Sequence, residues 1–213
     1  MRLRNKPWAT KYIMENSTFA IQNPEYYRGQ WGKKIFKNNN PLNIEIGSGK
    51  GDFIIALAKK YPNQNFLAIE RYPSVLVLAL KKIIAENLPN LKIIVFDAIF
   101  LPEIFASKEI NKIYLNFSDP WPKARHEKRR LTNKIFLNFY QIILQDNGEI
   151  HFKTDNDQLF NYSLESFKEN NWKIVDYTTN LYQSQYLKNN IPTEYEQRFV
   201  KLGKNINYLY VRK

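Results

Sequence analysis

The sequence predicts an α/β protein built on a doubly wound, mostly parallel sheet of about seven strands, with an antiparallel strand at one edge. Three observations predict it. Short apolar runs that stop at a glycine or an acid alternate with longer stretches of helical periodicity. The first of these runs leads into a turn with three glycines, as the opening strand of such a sheet does. The last two runs, "WKIVDYT" and "INYLYVR", have no clear helix between them, which favours antiparallel pairing.

In chain order, residues 1–40 read as a basic N-terminal arm and lead-in, carrying Arg2, Arg4, Lys6 and Trp8. The short "KNNNP" turns the chain into "LNIEI", a buried strand over 42–46 stopped by Gly47. A helix is predicted over 51–62, closed by Pro62, then a strand "NFLAIE" over 65–70. The next helix, 73–88, begins with Pro73, a residue pre-set for the first helical turn. "LKIIVFD" and "NKIYLNFSD" are the third and fourth strands. A helix over 131–148 ends at Gly148, "EIHFKTD" is the fifth strand, and a helix over 157–171 precedes the closing pair. There is no internal repeat, and 213 residues suit a single domain spanning 1–213.

Composition narrows the chemistry. Thirty-two Lys+Arg against 20 Asp+Glu leave a net charge of +12, which favours a polyanionic partner such as nucleic acid. A lysine-rich surface of no special purpose would give the same total. With no cysteine and only His126 and His151, neither a thiolate site nor a zinc or iron centre is expected. The N-terminus has cations but no apolar core of a signal peptide, and no apolar run nears the roughly 20 residues of a membrane span. A cytoplasmic protein is expected.

Ligands in such sheets bind beyond the carboxyl ends of the strands. The first strand ends in "EIGSGKGD", with Glu45, Gly47 and Gly49 in place and the third glycine one residue early for a dinucleotide fingerprint. Glu45 would repel a pyrophosphate but suits S-adenosylmethionine, which carries an ammonium and a sulfonium and no phosphate. Glu70 ends the second strand 23 residues after Gly47, where an acid accepts from ribose hydroxyls. Asp97 and Ala98 end the third, beside an adenine edge, though Asp97 serves equally well as a helix cap. These acids at consecutive strand ends resemble those of class I S-adenosylmethionine-dependent methyltransferases.

The fourth strand runs into "NFSDPWPKARHEKRRL". Asp119 stands where the methyl group is to be presented, Trp121 offers a stacking face, and six cations follow by Lys134. This segment, with "TEYEQRF" near the end, resembles the signature segments of bacterial tRNA (guanine-N7)-methyltransferases, and the resemblance runs from "EIGSGKG" through "TEYE". It implies a Rossmann-like methyltransferase fold, acting on N7 of guanine 46 in the tRNA variable loop. It also implies that Glu45, Glu70, Asp97 and Asp119 contact the cofactor, with Asp119 also catalytic. Lys123, Asp155, Thr193, Glu194, Tyr195 and Glu196 would contact the substrate, and Arg125, His126, Lys128, Arg129 and Arg130 the RNA. Ala124 departs from the family, which more often has a second lysine there. A monomer or homodimer is expected.

Alternatives accompany these roles. Asp155 is also placed to cap the helix that follows, "PTEYE" also reads as a surface turn, and His126 as a solvated loop residue. His151, alternating with Phe152, reads as structural. The rival functions are an exocyclic-amino methyltransferase, since "SDPW" is close to a D-P-P-Y loop, and a non-catalytic RNA-binding protein of the same fold. A nicotinamide-dependent oxidoreductase is disfavoured by the early glycine and by Glu45.

Overall fold

The computed structural model describes residues 6–213, so Arg2 and Arg4 lie outside the described residues. The seven strands are β1 (Leu42–Ile46), β2 (Asn65–Glu70), β3 (Leu91–Val95), β4 (Ile110–Asn116), β5 (Leu144–Thr154), β6 (Lys173–Thr178) and β7 (Asn207–Arg212). They form one sheet in the order β3-β2-β1-β4-β5-β7-β6. All neighbouring pairs from β3 to β5 are parallel, and β7 runs antiparallel to both β5 and β6. The predicted fold class is therefore the observed one, with the reversed strand set one place in from the edge.

The helices are α1 (Trp8–Glu15), α2 (Asp52–Lys60), α3 (Pro73–Glu86), the single turn α4 (Leu101–Ile104), α5 (Lys134–Ile143), α6 (Asp157–Glu169) and α7 (Glu194–Lys201). Strand alternation sorts the core. Leu67 and Ile69 face the layer that holds Trp31, Phe105, Phe136 and Phe160, whereas Phe66 and Ala68 face α2 and α3. Gly51, at the start of α2, has φ +78°, and a Cβ there would lie 2.8 Å from Ala79 Cβ of α3. Only glycine lets the two helices approach so closely.

Three local expectations are corrected. The helix predicted to run to Gly148 ends at Ile143, and β5 takes over at Leu144 with a register shift opposite Ile110 and Lys112. Pairing with β4 outweighs the helical pattern there. The last two strands are separated by a helix, α7, where "PTEYE" also reads as a surface turn in the sequence. Within the lead-in segment, residues 8–15 are helical, with Ala9 and Ile13 buried against the α2–α3 layer. Among the described residues no helix is long and apolar enough to cross a membrane.

Candidate active site

β1 and β4 are where strand order reverses, the crevice at which open α/β sheets bind ligands. Glu45, next to last in β1, is 2% exposed. Its Oε1 accepts from Asn116 Nδ2 of β4 at 2.8 Å, while its Oε2 has no partner. Burial pushes its carboxyl up to about 8, against the opposing effects of Asn116 and of the Lys153 charge. Gly47 and Gly49 follow with φ +77° and +57°, and no atom stands within 4 Å of where a Cβ would point. The backbone here is bare on its open side. Between them the Ser48 Oγ is buried and also unpartnered.

At the tip of β2, Glu70 Oε2 accepts from the Gly49 amide at 3.2 Å and Oε1 from the Tyr72 amide at 3.0 Å. The side chain thus ties its own strand end to the glycine loop. Burial raises its pKa despite these bonds. Past β3, Asp97 accepts from the Ile99 amide at 3.2 Å, the capping role allowed for in the sequence, and lies 3.9 Å from Arg71 Nη1. Ala98 is buried beside it.

β4 ends at Asn116, and the chain then enters a strained loop. Phe117 and Trp121 have φ +52° and +42°, in the left-handed region that aromatic residues rarely enter. Asp119 lies between them, exposed, and its charge contributes to raising the Glu70 pKa. Arg130 holds the loop from beneath, donating from Nε to Pro120 O and from Nη2 to Trp121 O, both at 3.1 Å. Arg129 sits over the Trp121 ring at 4.9 Å, and His126 meets that ring edge-on. Lys123, Arg125, Lys128 and Arg129 are exposed.

The opposite wall comes from β5 and α7. Thr193 caps α7 in a reciprocal box with Glu196, accepting from the Glu196 amide at 2.9 Å. Tyr195 stacks on Phe199 at 4.2 Å and lies 5.0 Å from Phe117 across the cleft. Its hydroxyl reaches Asp155 Oδ2 at 3.4 Å. Helix α6 is capped by Asn156, which leaves Asp155 free of that task. Glu194 pairs with Lys50 of the glycine loop at 2.7 Å, bridging the mouth. Between the glycine loop and α7 lies a cleft of about 340 Å³ whose wall includes Glu45, Gly49, Asn116, Phe117, Thr193 and Tyr195.

The family described as "putative methyltransferase" matches residues 39–209 of the chain. The chain is 50% identical over 206 residues to a tRNA (guanine-N(7)-)-methyltransferase of Geobacillus sp. (strain WCH70), covering 97% of this chain and 93% of that protein. With one of the same description from Listeria monocytogenes serotype 4a (strain HCC23) it shares 51% over 203 residues, 95% of this chain and 94% of that one. The chain belongs to the tRNA (guanine-N(7)-)-methyltransferase family. Among solved structures, an antibiotic-related methyltransferase superposes with a TM-score of 0.65 at 18% identity, covering 92% of this chain and 97% of that one. The 16S rRNA methyltransferase KamB gives 0.65 at 14% identity, covering 86% and 92%. At those identities the likeness is one of fold.

In this methyltransferase, of the residues expected on the cofactor side, Glu45 and Glu70 stand at the glycine loop, Asp97 and Ala98 past the tip of β3, and Asp119 exposed past the tip of β4. Two expectations change. Glu196 is not placed to touch a substrate: it is fully buried, with Lys153 Nζ at 2.6 Å, Asn190 Nδ2 at 2.6 Å and Tyr182 OH at 3.1 Å taking up its oxygens. Arg130 spends its guanidinium on the loop carbonyls and on the Tyr162 ring, so it shapes the basic segment rather than reaching outward. His151 is structural, stacked between Tyr114 and Tyr210, with Nδ1 2.7 Å from Tyr208 OH. Sequence reasoning missed Asn116, the partner of Glu45, and Lys153, a cation amid the buried end of β5. The signal for Lys153 was a charged residue two positions before Asp155, at the end of a predicted strand.

Proposed function

We propose that this methyltransferase transfers the methyl group of S-adenosylmethionine to N7 of guanine 46 in the tRNA variable loop. The observation that carries the reading is Glu45. A buried carboxylate with one unpartnered oxygen, beside bare glycine backbone, needs a cation, and an ammonium brought against it would restore the charged form. A pyrophosphate would be repelled. S-adenosylmethionine supplies an electrophilic methyl on a sulfonium and has no phosphate. The open flanks of Gly47 and Gly49 leave room for it, and Ser48 Oγ is a second unpartnered group. Glu70, with lone pairs left on both oxygens, suits ribose hydroxyls. Asp97 and Ala98 suit the adenine edge.

Guanine N7 carries a lone pair and no proton, so no base has to remove one. The work left to the chain is to hold the purine in line and to offset the positive charge that develops on its imidazole ring. Asp119 and Asp155 supply negative potential from two sides of the cleft mouth. Glu194 adds less, because Lys50 already answers its charge. The N7 and O6 edge of guanine presents acceptors, which Lys123, Thr193 and Arg198 can meet as donors. Lys123, Arg125, Lys128 and Arg129 grip phosphate, and His126 stays with Trp121.

The test is incubation of the protein with methyl-labelled cofactor and unmodified tRNA, then nuclease digestion and nucleoside analysis. Label in 7-methylguanosine is expected, and it should vanish from a tRNA in which guanine 46 is replaced by adenine. Label on an exocyclic amine, or on N7 at another position, overturns the proposal.

A further inference from the structure

Among the described residues, Lys153 is the one buried cation beside the acids of the strand tips. Its side chain is 5% exposed, and that of Glu196, its partner, is fully buried. The ammonium spends all three of its protons within the chain: on Glu196 Oε2 at 2.6 Å, Ile191 O at 3.0 Å and Asn190 Oδ1 at 3.1 Å. Glu196 returns the hold, with Asn190 Nδ2 at 2.6 Å and the Thr193 amide at 3.4 Å. The stretch from Asn190 to Thr193 therefore hangs on this pair. Its other holds are the Asn190 amide on Leu187 O at 3.1 Å, Thr193 O under the Gln197 amide at 3.0 Å, and the Ile191 side chain against a core cluster.

The backbone of the same residue serves the facing wall. Lys153 O accepts from the Phe117 amide at 2.8 Å, the residue whose φ of +52° begins the Asp119 loop. Lys153 is also opposite Asn116 in the β4–β5 register, and Asn116 holds Glu45. One residue thus sets both sides of the gap between Phe117 and Tyr195.

We propose that Lys153 is a positioning residue for methyl transfer, fixing the segment from Asn190 to Glu196 against the Phe117 loop so that the acceptor purine enters in line. This rests on the function proposed above. Stability alone does not account for the pair. Desolvating two ions is costly, and apolar residues of similar volume often replace such pairs with no loss of stability. What an apolar pair cannot reproduce is the set of bonds to Asn190, Ile191 and Thr193.

The test compares wild type, Lys153→Met/Glu196→Leu and Asn190→Ala, each as the full chain. The double variant removes both charges and avoids leaving one buried and unpaired. Its melting temperature should fall by no more than about 2–4 °C, the scale of losing half the α7 cap, and turnover is read at saturating S-adenosylmethionine because loss of the Lys153 charge weakens the donor's hold at Glu45. Its kcat on tRNA should fall by about 100-fold, the scale of loss from an ångström of misplacement, while KM, set by the basic segment, changes little. A kcat within about 3-fold of wild type in the folded double variant overturns the proposal. If the double variant does not fold, Asn190→Ala decides, because it keeps the ion pair. A fall in kcat of about 10-fold at unchanged KM is expected from it, and wild-type turnover overturns the proposal. Failure of the wild type itself to methylate tRNA would sink the functional reading, a result distinct from either.

Discussion

Asp119 is exposed, and among the described residues its side chain makes no hydrogen bond within the chain. Replacing it with alanine should leave the melting temperature within about 1 °C, as for most surface changes, yet cut kcat/KM by about 100-fold or more. Turnover near wild type would remove its assigned role. Glu45 makes a second test, by titration. Burial raises its carboxyl from 4.5 to about 8 even though the Lys153 charge draws it down. Below that value a proton must leave before a cationic donor can bind, so affinity should strengthen by up to about tenfold per unit as pH climbs toward 8, then level off. Glu45→Gln should flatten this dependence in calorimetry. The same shift has an opposite sign for folding. In the unliganded protein, the stability that the buried neutral carboxyl permits at low pH is lost progressively from 4.5 upward to about 8. At this scale the acids at the strand tips were legible because they stand directly after apolar runs. Asn116 and the Lys153–Glu196 pair were not, since hydrogen bonds across 71 and 43 residues leave no mark in local spacing.

Among the elements, α7 is the one the sequence concealed. Its signal was present, as Thr193 and Glu196 stand three apart in the spacing of a capping box. A helix of eight residues between two polar stretches was too short to show periodicity. Thr193→Ala removes the reciprocal cap and should cost about 1 kcal/mol in denaturant unfolding. If its main effect is on the first turn of α7, turnover should fall more than stability alone implies. The junction of α2 and α3 allows a plainer prediction. Gly51→Ala places a methyl group 2.8 Å from Ala79 Cβ at a φ of +78°, and should lower stability by roughly 2 kcal/mol or more. The misjudged end of α5 has a tertiary cause. The stretch after Ile143 keeps a helical pattern, but Leu144 pairs with Ile110 at the sheet's lower end.

Across the whole molecule, charge and topology divide the labour. The net charge of +12 is distributed so that Lys123, Arg125, Lys128 and Arg129 stand exposed together beside the cleft. Neutralising Arg125, Lys128 and Arg129 should weaken tRNA binding and reduce the slope of log affinity against log salt by roughly 2. An unchanged slope would mean that phosphate is held elsewhere. The overall fold was legible because alternating strands and helices leave few arrangements, whereas the position of β7 between β5 and β6 depends on long-range pairing. That strand order has a further consequence. Glu45, Glu70 and Asp97 belong to the β1–β3 half, while the wall containing Tyr195 is suspended between β6 and β7. On the proposed function, the groups assigned to the donor and the wall assigned to the acceptor belong to different parts of one scaffold, joined at the mouth by Lys50 and Glu194. A chimera that exchanges residues 179–206 for those of a relative with another target base should retain its grip on the methyl donor and change the atom that receives the methyl.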